Sequence, residues 1–252
     1  MTKNPPPTHR PQPFGPRFRL LGRGLVTATF LAVLFAAAPC AAQRTYRISY
    51  SPGAAIHAIA KERVQSAYER AGLAVEFVPM PHKRSLQSAD EGSVDGEVGR
   101  IEGIEKNYPD LVRVPVKVID LLACAYVLDR SPIRRYSPNL LNELKVCAVF
   151  GVQWAKDLLN CRTAEMVSDY DKLMAMLVEK RVDMVLGSAL SVEAVLSKKG
   201  DWNKHVRRLN PPASCQPLYH YVHKNNARLV PLLEKALREL WAEGRWNTSP
   251  SP

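Results

Sequence analysis

No two of the five cysteines form a CxxC pair, and no histidine stands where it would complete a zinc site. A metal centre is therefore a weak reading, and no cofactor is expected. Long apolar runs are scarce too. The main one, 25–38 (LVTATFLAVLFAAA), has 14 residues, too short to cross a bilayer comfortably. The basic residues are scattered rather than massed with aromatics, so the footprint of a nucleic-acid binder is missing. Beyond residue 42 there is no internal repeat and no low-complexity segment.

Acids are absent from the first 24 residues, which carry Lys3, Arg10, Arg17, Arg19 and Arg23. This basic start, the apolar run behind it and the small residues Cys40 and Ala42 in PCAAQ read as a signal peptide, 1–42, cut after Ala42. AAPC around Cys40 loosely resembles a lipobox, but Pro39 argues against a lipid anchor. A periplasmic location follows. The remaining 210 residues are enough for two domains of about 100 each, or one larger one. They hold 30 basic and 24 acidic residues, a formal charge of +6, which is a soluble surface rather than a polyanion-binding one.

Four cysteines stay after the cut: Cys124, Cys147, Cys161 and Cys215. An even count in an oxidising compartment favours disulfides, with three possible pairings. Cys147 to the strand end at Gly151 covers about 13 Å at strand rise. The helix that follows returns about 12 Å by Cys161, so a Cys147–Cys161 bridge is predicted. Cys215 is expected beside Asp129, about four residues from Cys124 on an antiparallel neighbour.

The alternation of 45–50 (TYRISY) predicts a strand, and the apolar spacing of 54–71 a helix closed by Gly72. Strands are predicted at 73–78, 94–99, 112–118 and 121–128, with helices at 83–89 and 100–108. This β-α-β rhythm is that of a parallel sheet. It restarts after Asp129 with strands at 144–150, 165–168, 182–186 and 206–209. Helices at 153–160, 170–180 and 191–199 lie between them. A strand at 217–223 and a helix at 229–243 close the chain.

Within 81–114 (PHKRSLQSADEGSVDGEVGRIEGIEKNYPDLVRV), Arg84 opens a helix and Arg100 is expected just past the end of the 94–99 strand. In open α/β sheets that end is where ligands bind. Two arginines brought to one strand edge suggest an anion pocket, most simply for a carboxylate.

ISYSPG, GSVDGEVGR, LKVCAVFGVQWAKDLL, YDKLMAMLVEKRVDMVL and YHYVHKNNARLVPLLEKALRELWAEG, in this order and spacing, carry a resemblance. The chain resembles bacterial extracellular solute-binding proteins of family 3, the amino-acid-type periplasmic binding proteins with the type-2 fold. The resemblance implies an α/β fold of two lobes, each a mostly parallel sheet flanked by helices, joined by two hinge strands. One lobe would be 43–128 plus 217–252, the other 129–216. A small anionic or zwitterionic solute would lie in the cleft between them. The partner implied is an inner-membrane ABC permease, and the protein would act as a monomer that captures its solute for import.

In this resemblance Arg100 takes the place of the arginine that forks onto the ligand carboxylate. Arg84 is a second candidate. Tyr50 and Ser51, at the first strand end, are candidate lining from the first lobe. From the second come Gly151 and Gln153, where backbone amides can approach a ligand, and Trp154, which either stacks over the cleft or packs in the core. Amino-acid-binding members carry an acid after the strand equivalent to VDMVL. Here Gly187 and Ser188 occupy that edge, so a zwitterionic ligand would need another acid, such as Glu97.

Two other functions compete. One is a periplasmic enzyme on the same fold, resembling cyclohexadienyl dehydratase, for which Glu97 is the one acid offered. The other is a ligand-sensing module. His220 and His223, three apart on a strand, point to opposite faces and do not make a metal pair. His82 reads as an exposed loop histidine.

Overall fold

We describe the protein from a computed structural model, residues 44–246; the predicted signal peptide lies outside the described residues. In chain order the elements are β1 (Thr45–Tyr50), α1 (Ala55–Arg70), β2 (Ala74–Pro79), α2 (His82–Asp90), β3 (Gly96–Ile101) and β4 (Leu111–Leu128). There follow α3 (Leu140–Glu143), β5 (Val146–Val149), α4 (Gln153–Leu159), β6 (Glu165–Val167), α5 (Tyr170–Val178) and β7 (Met184–Ser188). The last are α6 (Ala189–Lys198), β8 (Val206–Arg208), β9 (Ser214–His223) and α7 (Val230–Ala242).

The helices bury the stripes that their sequences spell. In α1, Ile56, Ala60, Val64 and Ala67 recur at helical spacing and are buried. Asp169 caps α5 by accepting from the Lys172 backbone N–H at 2.8 Å. Leu233, Ala236, Leu237 and Leu240 of α7 are buried, and Gly244 with φ +68° ends the turn after it.

The strands form one sheet in the order β2-β1-β3-β9-β4-β7-β5-β6, with β8 also on β4. β1 is parallel to β2 and β3, and β5 is parallel to β6 and β7. Between these two parallel groups run β4 and β9, antiparallel to each other from Leu111↔His223 to Ala123↔Ser214. β4 then pairs β7 along Ala123–Tyr126. Two strands thus tie both halves together.

Four expectations are corrected. The strands expected at 112–118 and 121–128 are one, because Ile119 and Asp120 stay paired to Leu218 and Pro217. The break in alternation is a bulge near exposed Pro115, which cannot donate to a ladder. No helix spans 100–108; the strand runs on through Ile101 and only a short 3₁₀ turn, Ile104–Lys106, follows. Cys147 and Cys161 are not bonded. Cys147 is buried in β5, whereas left-handed turns at Asn160 and Cys161 carry Cys161 to the surface. Cys215 lies opposite Leu122 rather than near Asp129.

Candidate functional site

β3 builds the site. It runs between β1 and β9 so closely that a Cβ on Gly96 would stand 2.3 Å from the Tyr221 carbonyl oxygen, which only glycine allows. Between Glu97 and Arg100 its register against β9 shifts, with two residues of β3 facing His220 alone. Residues three apart on a regular strand point to opposite faces. The bulge undoes this, and Glu97 and Arg100 meet in the core with Arg100 Nη2 3.1 Å from Glu97 Oε1.

Glu97 is fully buried. Its Oε2 accepts from the Ser49 hydroxyl at 2.8 Å and from the Ser85 hydroxyl. Burial pushes its carboxyl above the ordinary range, while Arg100 and the two serines pull the other way. Arg100 donates from Nη1 to His82 Nδ1 and from Nη2 to the His82 carbonyl, both at 3.1 Å, and its buried Nε has no partner. His82 therefore holds its proton on Nε2. Burial and the neighbouring guanidinium press it down to about 3, so it stays neutral. His57 accepts from the Ser51 backbone N–H at 3.1 Å. It too is held well below its ordinary value, by burial first and Arg100 second. Its Nδ1 lies 3.9 Å from Glu97 Oε1, but a neutral ring accepting at that nitrogen makes no ion pair there.

Arg100, His57 and His82 line a cavity of about 40 Å³ together with Gln153, Tyr170 and Ser188, enough for about three waters. Ile56, Leu121, Val152, Trp154 and Leu218 supply apolar wall. The Tyr170 hydroxyl approaches Ser188 and Ser191, yet neither serine hydroxyl has a hydrogen-bond partner. A neighbouring hollow of about 280 Å³ shares His82 and Tyr170 and adds Ser51, Met80 and Asp169.

Of the residues singled out from sequence, Arg100, Gln153, Trp154 and Ser188 share the cavity, and Ser51 lines the hollow beside it. Arg100 stands inside β3 and is buried, not past the strand end. Trp154 is both core and lining, only 6% exposed. Arg84 is exposed on α2, away from the cavity lining. Tyr50 packs edge-on to Phe77, with Lys61 over its ring. Gly151, with φ +80°, presses its missing side chain against the start of α2: a Cβ would lie 2.9 Å from the Lys83 backbone nitrogen. Glu97 stands behind Arg100 and is not a lining residue. His82 is buried on a helix, not exposed on a loop. Its signal was in the sequence: His82, Ser85, Leu86 and Ala89 make the buried stripe of α2 at 3.6-residue spacing, and Arg84 lies off it. His57, Ser49 and Tyr170 carried no comparable signal.

No family model and no curated protein matches the sequence. Solved structures do. A P235GK mutant of ArgBP from T. maritima superposes with a TM-score of 0.67 at 15% identity, over 81% of this chain and 92% of that one. A histidine kinase sensor domain with similarity to periplasmic binding proteins gives 0.69 at 15% identity, over 81% and 92%. The fold is that of the periplasmic binding proteins. The substrate-binding protein of an amino acid ABC transporter agrees, with 0.63 at 15% identity, over 80% and 95%. These are two-lobed periplasmic-binding folds, and the mixed α/β architecture here is the same. Among the described residues no helix is long and apolar enough to cross a membrane.

Proposed function

We propose that this chain is a periplasmic solute-binding protein that takes a small carboxylate-bearing solute, an amino acid or a compound of similar size, between two lobes, 43–128 plus 217–252 and 129–216. It would enter the periplasm through its leader and deliver the solute as a monomer to an inner-membrane ABC permease. The observation that carries this reading is Arg100. A buried guanidinium with an unpartnered Nε, facing a cavity walled from both halves of the sheet, is costly unless a ligand completes it. A planar N–H fork suits a carboxylate. The cavity beside it is too small for such a solute, so capture requires the halves to part and close again, a shift of population toward the state in which all contacts exist.

The likeness to a sensor domain favours ligand sensing as a second reading, and both share the same site. The dehydratase-like reading is weaker, because Glu97 is shielded from the cavity by the residues that bind it. Native mass spectrometry of protein taken from its own periplasm tests the proposal. A bound small acid is expected; a bound sugar, peptide or metal would contradict it.

A further inference from the structure

The carboxylate reading leaves open what else the solute carries, and the two walls of the cavity bear on it. One wall presents the Arg100 guanidinium. The other presents the start of α6, where Ser188 is the N-cap and its hydroxyl makes no cap bond. That hydroxyl is buried and donates to no partner, with the Tyr170 hydroxyl close by; Ser191, also buried, lies off the cavity lining. A helix N-terminus carries partial positive charge, so both walls favour negative or electron-rich atoms.

Acids do not answer them. Among the described residues none of those lining the cavity is a carboxylate. Glu97 turns one oxygen to Ser49 and Ser85; the other lies 3.1 Å from Arg100 Nη2 without a hydrogen bond, behind the guanidinium and off the cavity lining. Asp169, in the neighbouring hollow, gives one oxygen to the Lys172 backbone N–H. The other accepts from the Ser168 hydroxyl and lies 3.5 Å from Lys172 Nζ.

We infer that the solute is a carboxylate without an ammonium group, a 2-hydroxy or 2-oxo acid rather than an amino acid. The inference rests on the carboxylate reading above. An ammonium closed into this cavity would lose its water and meet no counter-ion, with Arg100 as a like charge nearby. A hydroxyl or keto oxygen in the same place can accept from the Ser188 hydroxyl on the cavity wall, a buried donor that otherwise has no partner. The anion's own charge is met by Arg100 and by the α6 N-terminus. Burial already pushes Glu97 toward its protonated form, so sharing Arg100 with a second carboxylate is within its reach.

The experiment is calorimetric titration of the wild-type protein with matched compounds of one carbon skeleton. Alanine, lactate and pyruvate form one set; leucine, 2-hydroxy-4-methylpentanoate and 4-methyl-2-oxopentanoate a second; phenylalanine, 3-phenyllactate and phenylpyruvate a third. In the set whose side chain fits, the hydroxy or oxo acid is expected to bind roughly 30-fold or more tightly than the amino acid. An amino acid that binds as tightly as its hydroxy partner overturns the inference and leaves the carboxylate reading standing. Binding by no member of any set, with an uncharged solute retained from the periplasm, overturns both.

Discussion

Arg100 and Glu97 are three residues apart on one strand, yet the guanidinium and the carboxylate stand 3.1 Å apart, both buried. A one-residue bulge against β9 brings them together, and two serines and a neutral histidine hold them there. The site is therefore pre-positioned by the strand rather than assembled by the ligand.

Breaking this pair from one side should be costly. Glu97→Ala leaves Arg100 buried without its counter-charge and is expected to lose about 3–5 kcal/mol of unfolding free energy in urea titration. Glu97→Gln with Arg100→Met, which removes both charges at similar volume, should stay within about 2 kcal/mol of wild type. If Glu97→Ala is as stable as wild type, the two groups are not coupled.

Acid should destabilise the fold before its carboxylates titrate. His82 is held down to about 3 and His220 to about 4, with His57 also well below its usual value, burial being the main cause in each. In the unfolded chain each would bind a proton near 6.5. The unfolded state thus holds more protons below that pH, and stability falls as pH drops, by about 1.4 kcal/mol per unit for each histidine. Glu97 is raised and acts in the opposite sense, as one group against three. The urea midpoint should be lower at pH 5 than at pH 7, and His220→Asn should make the slope shallower by one proton. An unchanged slope would mean that His220 is not neutral in the fold.

How much of this could be read from the sequence follows from the range of each interaction. Strand alternation and the apolar stripes of α1, α5 and α7 are local, and they placed nearly every element. The Glu97–Arg100 contact depends on a register shift set by β9, more than a hundred residues away, and no local pattern carries it. Arg84 stands out in the sequence by its charge, although the helical period of α2 turns it outward and His82 inward. The disulfide prediction matched the levels of Cys147 and Cys161 along strand and helix. It could not include the left-handed turn at Asn160 and Cys161 that separates them.

The thiols should report that separation. Cys124 and Cys147 are buried with their thiols pushed up to about 11, chiefly by burial, while Cys161 and Cys215 are exposed. Iodoacetamide is expected to label Cys161 and Cys215 on the native protein and all four only after unfolding. Peptide mapping that recovers Cys147 joined to Cys161 would contradict the fold at α4.

Gly151→Ala should weaken binding as well as folding. The residue has φ +80°, where an L side chain costs roughly 1–2 kcal/mol. Its added Cβ would also lie 2.9 Å from the backbone nitrogen of Lys83, a contact between the two proposed lobes. Calorimetry is expected to show at least a tenfold loss of affinity, about 1.4 kcal/mol, in a protein that still unfolds cooperatively. Unchanged affinity would mean that this contact does not take part in closure.

The central claim is that Arg100 holds a carboxylate. Arg100→Ala alone is a poor probe, because it strands Glu97 in the core. The direct measurement is calorimetric titration of wild type and of Glu97→Gln with Arg100→Met, using the carboxylic acid that binds wild type best. Wild type should bind it. The double variant, folded to the same circular-dichroism spectrum, should bind roughly 30-fold more weakly or not at all. Equal affinity in the two proteins would contradict the account and place the carboxylate elsewhere.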